Sequence, residues 1–589
     1  MGGKWYKRSV ALPVLAVALA AAGCSSNSND GSDTASSGAT ASGSESAGAS
    51  ASASSNGGTA QEPVTLSIFG VVGSTVINKP FQDDQVIQEL EKRTGVKLDF
   101  TPELNVTDRA EKLAVMLAGD DLPDIVVYNA LTDSSKIQSA NVALPLDDLV
   151  AKYGPNITKN AGKAIEVSKS SSPDGKLYYL PGGVGDVQFS PLVNDNSWNL
   201  RWDLYKKLNY PKMDTLDDLL GVLGQMMKLE PTNKDGKKNY GLGLNLSETW
   251  GQLMIDKAIA NLKGYVQALP NDVYIEMDTG KLVPRVSDPN SVFWTSMKFY
   301  NKAYQQGILD PESATLKYNT ITEKYKTGRY FASTTHWSLG GADEQFIAQG
   351  TPEKGFVPFM VDYNPKNMYV GQATYNGDQF QMFISKKSKN PEAAMKLIDY
   401  LYTDEGTELL TNGIEGVHYD VVNGVPLVKD EEIQARQTDP NHFITTGIHK
   451  YDHLRRYIPQ KDANGNPTDF LNVPQTVEKE MTQVQKDFVQ HYGYKTVTEA
   501  FTKVPTYVYD TSVLGSITTP AGSDLQAKEQ QMDAYLIANV AKVIFQKTDA
   551  DYEKAKQKFL DEYTSKGAKE VFDYYVKAYA DKMALVGGK

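Results

Sequence analysis

Cysteine is almost missing from this chain: its 589 residues contain one. A single thiol excludes any disulfide within the chain and any metal site built on several thiolates. Positive charge is also short, with 60 Lys and Arg against 72 Asp and Glu and a formal net charge of −12. Without a basic face there is no electrostatic drive toward a nucleic-acid backbone, so nucleic acid is not an expected partner. After Cys24 no apolar run is long enough to cross a bilayer.

Enzyme signatures are scarce as well. No Gly-x-Ser-x-Gly elbow occurs. The nearest approach to a phosphate loop, Gly154 to Gly162-Lys163-Ala164, has the wrong spacing and no hydroxyl after the lysine. His449 and His453 lie four apart, but the residues between them, Lys450-Tyr451-Asp452, do not make a zinc-protease motif. This basic run reads as the solvated face of a helix. Asp462, Asn464 and Asn466 echo a calcium loop, yet Pro467 stands where such a loop requires glycine, and a polar surface turn is the simpler reading. No metal and no cofactor is expected.

What is present begins with an address. Lys4, Lys7 and Arg8 precede an apolar stretch from Val10 to Ala22 that is too short to span a membrane, and Ala21-Ala22-Gly23 lead into Cys24. Residues 1–23 read as a signal peptide, and the whole segment resembles a bacterial lipobox, which implies lipidation of Cys24 and anchoring to the outer face of the cell membrane. From 24 to 61 the chain is nearly all Ser, Gly, Ala, Thr and Asn. Such a composition cannot bury enough apolar area to offset its ordering entropy, so it is expected to be a tether with a reach of roughly 33 Å.

Beyond the tether, residues 64–69 alternate as a half-buried strand does. A helical stripe of Val86, Ile87 and Leu90 ends at Gly95, and a second alternation covers 96–100. Another helix carries Ala110, Leu113, Ala114 and Leu117, followed by a strand at 124–128. Strand, helix, strand, helix, strand predicts a parallel sheet. Asn390-Pro391 opens a helix with Ala394, Leu397, Ile398 and Leu401 on its apolar face. Ser523 with Gln526 and Thr548 with Asp551 resemble capping boxes at the start of long helices that run to about Met583. The fold class is therefore α/β with a helix-rich C-terminal part.

Aromatic rings and amides are the remaining chemistry, and they suit sugars: flat rings stack on apolar sugar faces while amides and carboxylates take the hydroxyls. Trp337 follows a strand-like run and precedes Gly340-Gly341, so it sits where a strand opens into a loop. Trp294 and Trp202 lie in amphipathic segments and read as core.

A set of short motifs then occurs in order: Lys92-x-Thr94-Gly95-Val96, Gly119-Asp120-Asp121-Leu122-Pro123-Asp124-Ile125, Leu144 to Leu149, Asp174-Gly175-Lys176-Leu177-Tyr178, Leu200 to Leu204 with Thr215 to Leu219, Gly328-Arg329, and Asn390 to Ala394 with Asp404-Glu405-Gly406. In this the chain resembles extracellular solute-binding proteins of family 1, in the lipoprotein branch that serves carbohydrate ABC importers. The resemblance implies a two-lobed periplasmic-binding-protein-like (type II) fold with a hinge and a ligand cleft. It places 62–180 plus 372–418 in the first lobe and 182–370 plus 419–589 in the second. It further implies a monomer that captures an oligosaccharide and delivers it to the membrane subunits of an ABC importer. Residues carried over are Tyr128 and its neighbour Asn129, Trp337, and Asn194 with Trp198 past the hinge. Trp250, Asp378 and Glu415 are added from loop context. A calcium loop of the kind some relatives hold is not expected at 230–236, which lacks alternating carboxylates. Two rival classes remain: a secreted polysaccharide-active hydrolase or lyase, which would need a facing carboxylate pair such as Asp378 with Glu415, and a surface scaffold with no small ligand.

Overall fold

The computed structural model describes residues 64–70, 84–185, 197–267, 272–364, 368–373, 377, 380–439, 442–459, 461–501, 506–510, 512–515, 517–520 and 522–585. The signal segment, Cys24 and the tether lie outside them. The strands, in chain order, are β1 (Val64–Gly70), β2 (Val96–Asp99), β3 (Ile125–Asn129), β4 (Trp198–Arg201), β5 (Tyr265–Gln267), β6 (Val273–Glu276), β7 (Lys281–Pro284), β8 (Ala332–Ser333), β9 (Phe356–Phe359), β10 (Met368–Ala373), β11 (Phe380–Ile384), β12 (Tyr419–Val422), β13 (Val425–Val428) and β14 (Thr506–Asp510).

The first lobe is built on a sheet of order β11-β3-β1-β2. β1 pairs in parallel with β2 and β3, as the strand–helix alternation predicts, and β11 returns antiparallel to β3. Local chemistry sets the intervening helices. Asp84 accepts hydrogen bonds from the amides of Val86 and Ile87 to start the helix Gln85–Thr94, and Gly95 ends it at φ 68°. Asp108 caps Arg109–Gly119 in the same way. The sheet is buried on both faces, and the period of two divides its side chains cleanly. Leu66, Ile68, Ile125, Val127, Met382 and Ile384 enter one core, and Phe69, Val126, Tyr128 and Phe383 enter the other.

The second lobe holds the antiparallel sheet β8-β4-β9 and the meander β5-β6-β7. Its core extends into the C-terminal helices Asp524–Ile544, Asp549–Thr564 and Ala568–Leu585, through Leu536, Val540, Phe559, Tyr563 and Tyr575 among others. Ser523 and Thr548 accept the predicted capping hydrogen bonds from Gln526 and Asp551.

Two expectations need correction here. Residues from 419 onward were assigned to the second lobe, but Ile448, Tyr451 and Leu454 pack in the first lobe's core. Tyr419, Val428, Ile433, Phe470 and Val473 form a small satellite core of their own. The basic run from His449 to Arg456 is also not a solvated helix face. Lys450 and Tyr451 both donate to Asp84 at 2.8 Å, His453 lies 3.6 Å from Glu103, and Arg455 pairs with Asp452 at 3.0 Å. Buried acids on the first lobe draw the run inward. The segment around Asp462 is a polar turn: its carboxylate accepts the amides of Asn464 and Asn466.

Residues 180–185 are held in the first lobe from both sides. Leu180 exchanges backbone hydrogen bonds with Met382 on one side, and Val184 bonds to Arg456 and Ile458 on the other. The fully buried Arg456 donates to the carbonyl of Phe380. Glycines allow this approach. A Cβ on Gly182 would overlap the Phe380 carbonyl and lie 2.8 Å from the Arg456 guanidinium, and one on Gly377 would lie 2.6 Å from Pro181.

Gly182→Ala should therefore cost roughly 1–3 kcal/mol, as overpacking does. It should lower the melting temperature by several degrees in calorimetry. Gly221→Ala, on an exposed helix position with nothing within 4 Å of the added methyl, should instead stabilise by about 0.5–1 kcal/mol. Equal shifts for the two variants would contradict the steric account of Gly182.

Candidate ligand site between the lobes

Three segments of the second lobe bring aromatic rings together. The short helix Thr249–Leu253 carries Trp250, the helix Tyr318–Lys326 begins with Tyr318, and the 3-10 turn Trp337–Leu339 begins with Trp337. The ring centroids are 5.4 Å apart for Trp250 and Trp337, 5.4 Å for Trp250 and Tyr318, and 5.5 Å for Tyr318 and Trp337. All three are half-buried. Polar contacts fix them: the Tyr318 hydroxyl donates to the Trp337 carbonyl at 2.7 Å, and the Tyr318 amide donates to Glu248 at 2.7 Å. Gly340 closes the turn at φ 57°, in a place where a Cβ would collide with Thr322.

This trio lies where the second lobe meets the first. Lys317, next to Tyr318, reaches Asp108 of the first lobe at 3.6 Å. Asp108 is the residue that caps the helix Arg109–Gly119, whose first residue secures the carboxyl end of β1. Arg109 donates to the Gly70 carbonyl at 2.7 Å and to Glu103 at 2.9 Å, while Glu103 accepts the Gly70 amide at 2.9 Å. Burial pushes the Glu103 carboxyl up, but His453 and Arg109 outweigh it and hold the group below its ordinary range. Carboxyl ends of parallel strands are where open α/β sheets receive ligands. Two more polar contacts join the lobes, Gln526 to Ser135 at 2.6 Å and Lys582 to Ser171 at 2.6 Å.

Of the residues expected at the site, Trp250 and Trp337 come together. Tyr128 does not belong to it. As the fourth residue of β3 it shares a face with Val126, is fully buried, and packs against Tyr179 and Phe383, with its hydroxyl on Gln381 at 2.6 Å. Its neighbour Asn129 ends the strand, half-buried, opposite Phe380. Trp198 is likewise core: it opens β4, is fully buried, and meets Phe299 edge-on at 5.3 Å. Glu415 stands exposed on the turn ahead of β12 rather than beside the trio. Asn194 and Asp378 lie outside the described residues, and with Asp378 goes any measure of a carboxylate pair. Trp202 and Trp294 are core as expected, with their indole N–H groups on Asp487 and the Val286 carbonyl. Tyr318 was missed because it continues the apolar stripe of Ile321 and Tyr325 at helical spacing and so looks like core.

The loop at 230–236 closes on its own side chain. Asn233 accepts the amides of Asp235 and Lys237 and donates to the Thr327 carbonyl. Among the described residues no group of His, Cys, Asp and Glu is arranged to hold a metal ion.

Two lobes with strand ends and an aromatic trio facing their junction define a protein of the binding-protein class. The chain belongs to the bacterial extracellular solute-binding protein family, whose model matches residues 85–417. It is 27% identical over 357 residues to the fructooligosaccharide ABC transporter substrate-binding protein FusA of Streptococcus pneumoniae, a match covering 58% of this chain and 62% of that one. It is 23% identical over 370 residues to the lipoprotein LipO of Bacillus subtilis, covering 59% and 66%. The chain thus spans just under two thirds of these curated relatives. Among solved structures, the alginate-binding protein AlgQ2 without calcium superposes with a TM-score of 0.56 at 20% identity, over 88% of this chain and 98% of that one. At that identity the likeness is one of fold.

Burial predicts how the tryptophans respond to a quencher. In protein starting at Glu62, iodide should reach Trp250 and Trp337 but not Trp198, Trp202 or Trp294, which are 0%, 1% and 3% exposed. Replacing Trp250 and Trp337 by Phe should remove the quenchable fluorescence. A quenchable signal that survives both substitutions would put a different tryptophan at the surface.

Proposed function

We propose that this protein captures an oligosaccharide between its lobes and delivers it to the membrane subunits of an ABC importer, while held on the extracytoplasmic face of the membrane by a lipid on Cys24. The observation that carries this reading is the trio of Trp250, Tyr318 and Trp337 beside the cross-lobe pair of Lys317 and Asp108. Half-buried rings at 5.4–5.5 Å spacing offer an apolar surface to sugar rings, while Glu248, bonded to the Tyr318 amide, is at hand to accept hydroxyls. A ligand touching both lobes favours the closed arrangement by its extra contacts, and closure is the state an importer can read. The names of the relatives, a fructooligosaccharide transporter's binding protein and a lipoprotein, support the ligand class and the anchor. The protein acts as a monomer, requires no cofactor and releases its ligand unchanged.

Trp337→Ala should remove roughly 1–3 kcal/mol of ligand contact, and so weaken oligosaccharide binding by about 5–150-fold in calorimetric titration. If the variant melts several degrees lower yet binds normally per folded molecule, Trp337 is structural and leaves the site. Conversion of the oligosaccharide to products by the purified protein would favour a polysaccharide-active enzyme instead.

Cys24→Ala should move the protein out of the membrane fraction or stall its processing. Retention in the membrane after normal processing would refute the anchor.

A further inference from the structure

Basic side chains are what a binding site offers to acidic sugars, and among the described residues the lysines and arginines nearest the lobe contact, together with His453, have anionic or carbonyl partners. Lys317 faces Asp108 across the lobes. Arg109 is held by Glu103 and the Gly70 carbonyl, and Lys450 by Asp84. His453 lies against Glu103, Arg455 is paired with Asp452, and Arg456 is buried on the Phe380 carbonyl. Beside the rings stands a carboxylate, Glu248, whose Oε2 accepts the Tyr318 amide. Within the run from His449 to Arg456, Lys450 and His453 are thus turned to the first lobe's own acids, and the arginines to Asp452 and a carbonyl.

We infer that the site selects uncharged oligosaccharides over uronate-bearing ones and that Asp108 is the residue enforcing the choice, an inference that rests on the carbohydrate reading above. A uronate lying on Trp250, Tyr318 and Trp337 brings its carboxylate toward Glu248 and Asp108. Like charges there raise its cost, and the nearby ammonium of Lys317 is engaged by Asp108. Neutral hydroxyls meet no such penalty and can donate to the same carboxylates. Asp108 acts through Lys317, as a positioning residue: it directs a cation away from the ligand.

The test changes the selectivity ratio and leaves the rings untouched. Asp108→Asn keeps a side chain that caps the helix at Arg109 nearly as well, so the fold is preserved. It removes one negative charge and releases Lys317. Binding is measured at low ionic strength with neutral fructo-, malto- and xylo-oligosaccharides and with oligogalacturonate and oligomannuronate. The unmodified protein should bind a neutral member and discriminate against the uronates. Asp108→Asn should improve uronate affinity relative to neutral affinity by about tenfold, in line with a freed charge-assisted contact. Adding Lys317→Met should abolish that gain. His336, exposed next to Trp337, is replaced by Gln in both backgrounds so that its contribution is separated from that of Lys317. Tighter binding of a uronate than of any neutral oligosaccharide by the unmodified protein, or an unchanged ratio in Asp108→Asn, would overturn the inference while leaving the carbohydrate reading standing. Failure of every glycan to bind would overturn the carbohydrate reading itself, and the inference with it.

Discussion

Backbone hydrogen bonding on both sides of residues 180–185 is the constraint that ties together three distant stretches of the first lobe. On one side the segment continues the first sheet through Met382, and on the other it is joined by Arg456 and Ile458. Three passages of the chain therefore run side by side, and their spacing leaves no room for side chains at Gly182 and Gly185. A guanidinium as deeply buried as that of Arg456 is tolerable only with acceptors around it, and the carbonyls of Phe380 and Leu454 supply them.

The first sheet and its helices were legible because their signals are local. Asp84 and Gly95 bracket a helix, Asp108 opens the next, and the alternation in β1 and the apolar run of β3 each fit a strand buried on both faces. The placement of 448–456 against the first lobe was not legible, for the opposite reason. Its placement depends on Asp84 and Glu103, charges more than 300 residues away that attract Lys450 and His453. A run of eight residues with five basic side chains looks like a solvated face unless the acids that receive it are known.

The site was legible in part, and the pattern has a physical logic. Trp250 and Trp337 stand at the starts of short elements, which leave a large ring half-buried. Tyr128 and Trp198 lie within strands buried on both faces, where a side chain is core whichever face it takes. The recurring motifs turn out to build scaffold. Asp124 of the Leu-Pro-Asp-Ile motif accepts from Ser67 and Ser388, tying β1 to the chain after β11. Arg201 of the Leu-Arg-Trp-Asp motif is buried and held by both oxygens of Asp203. Such motifs specify the frame, and frames are shared by relatives with different ligands.

The antiparallel pairing of β11 with β3 has a consequence for how the molecule comes into being. Phe380 meets Asn129 and Ile384 meets Ile125, so the first sheet acquires its fourth strand only after some 250 further residues have followed β3. The whole second lobe up to β10 lies within that interval. Contacts so distant in sequence carry a heavy loop-closure cost and form late. A chain emerging from its amino end cannot complete its first lobe before most of its second has been made, and until then the hydrogen-bonding edge of β3 stays unpaired. Late pairing of this kind leaves that edge open to misassembly in a partly folded chain.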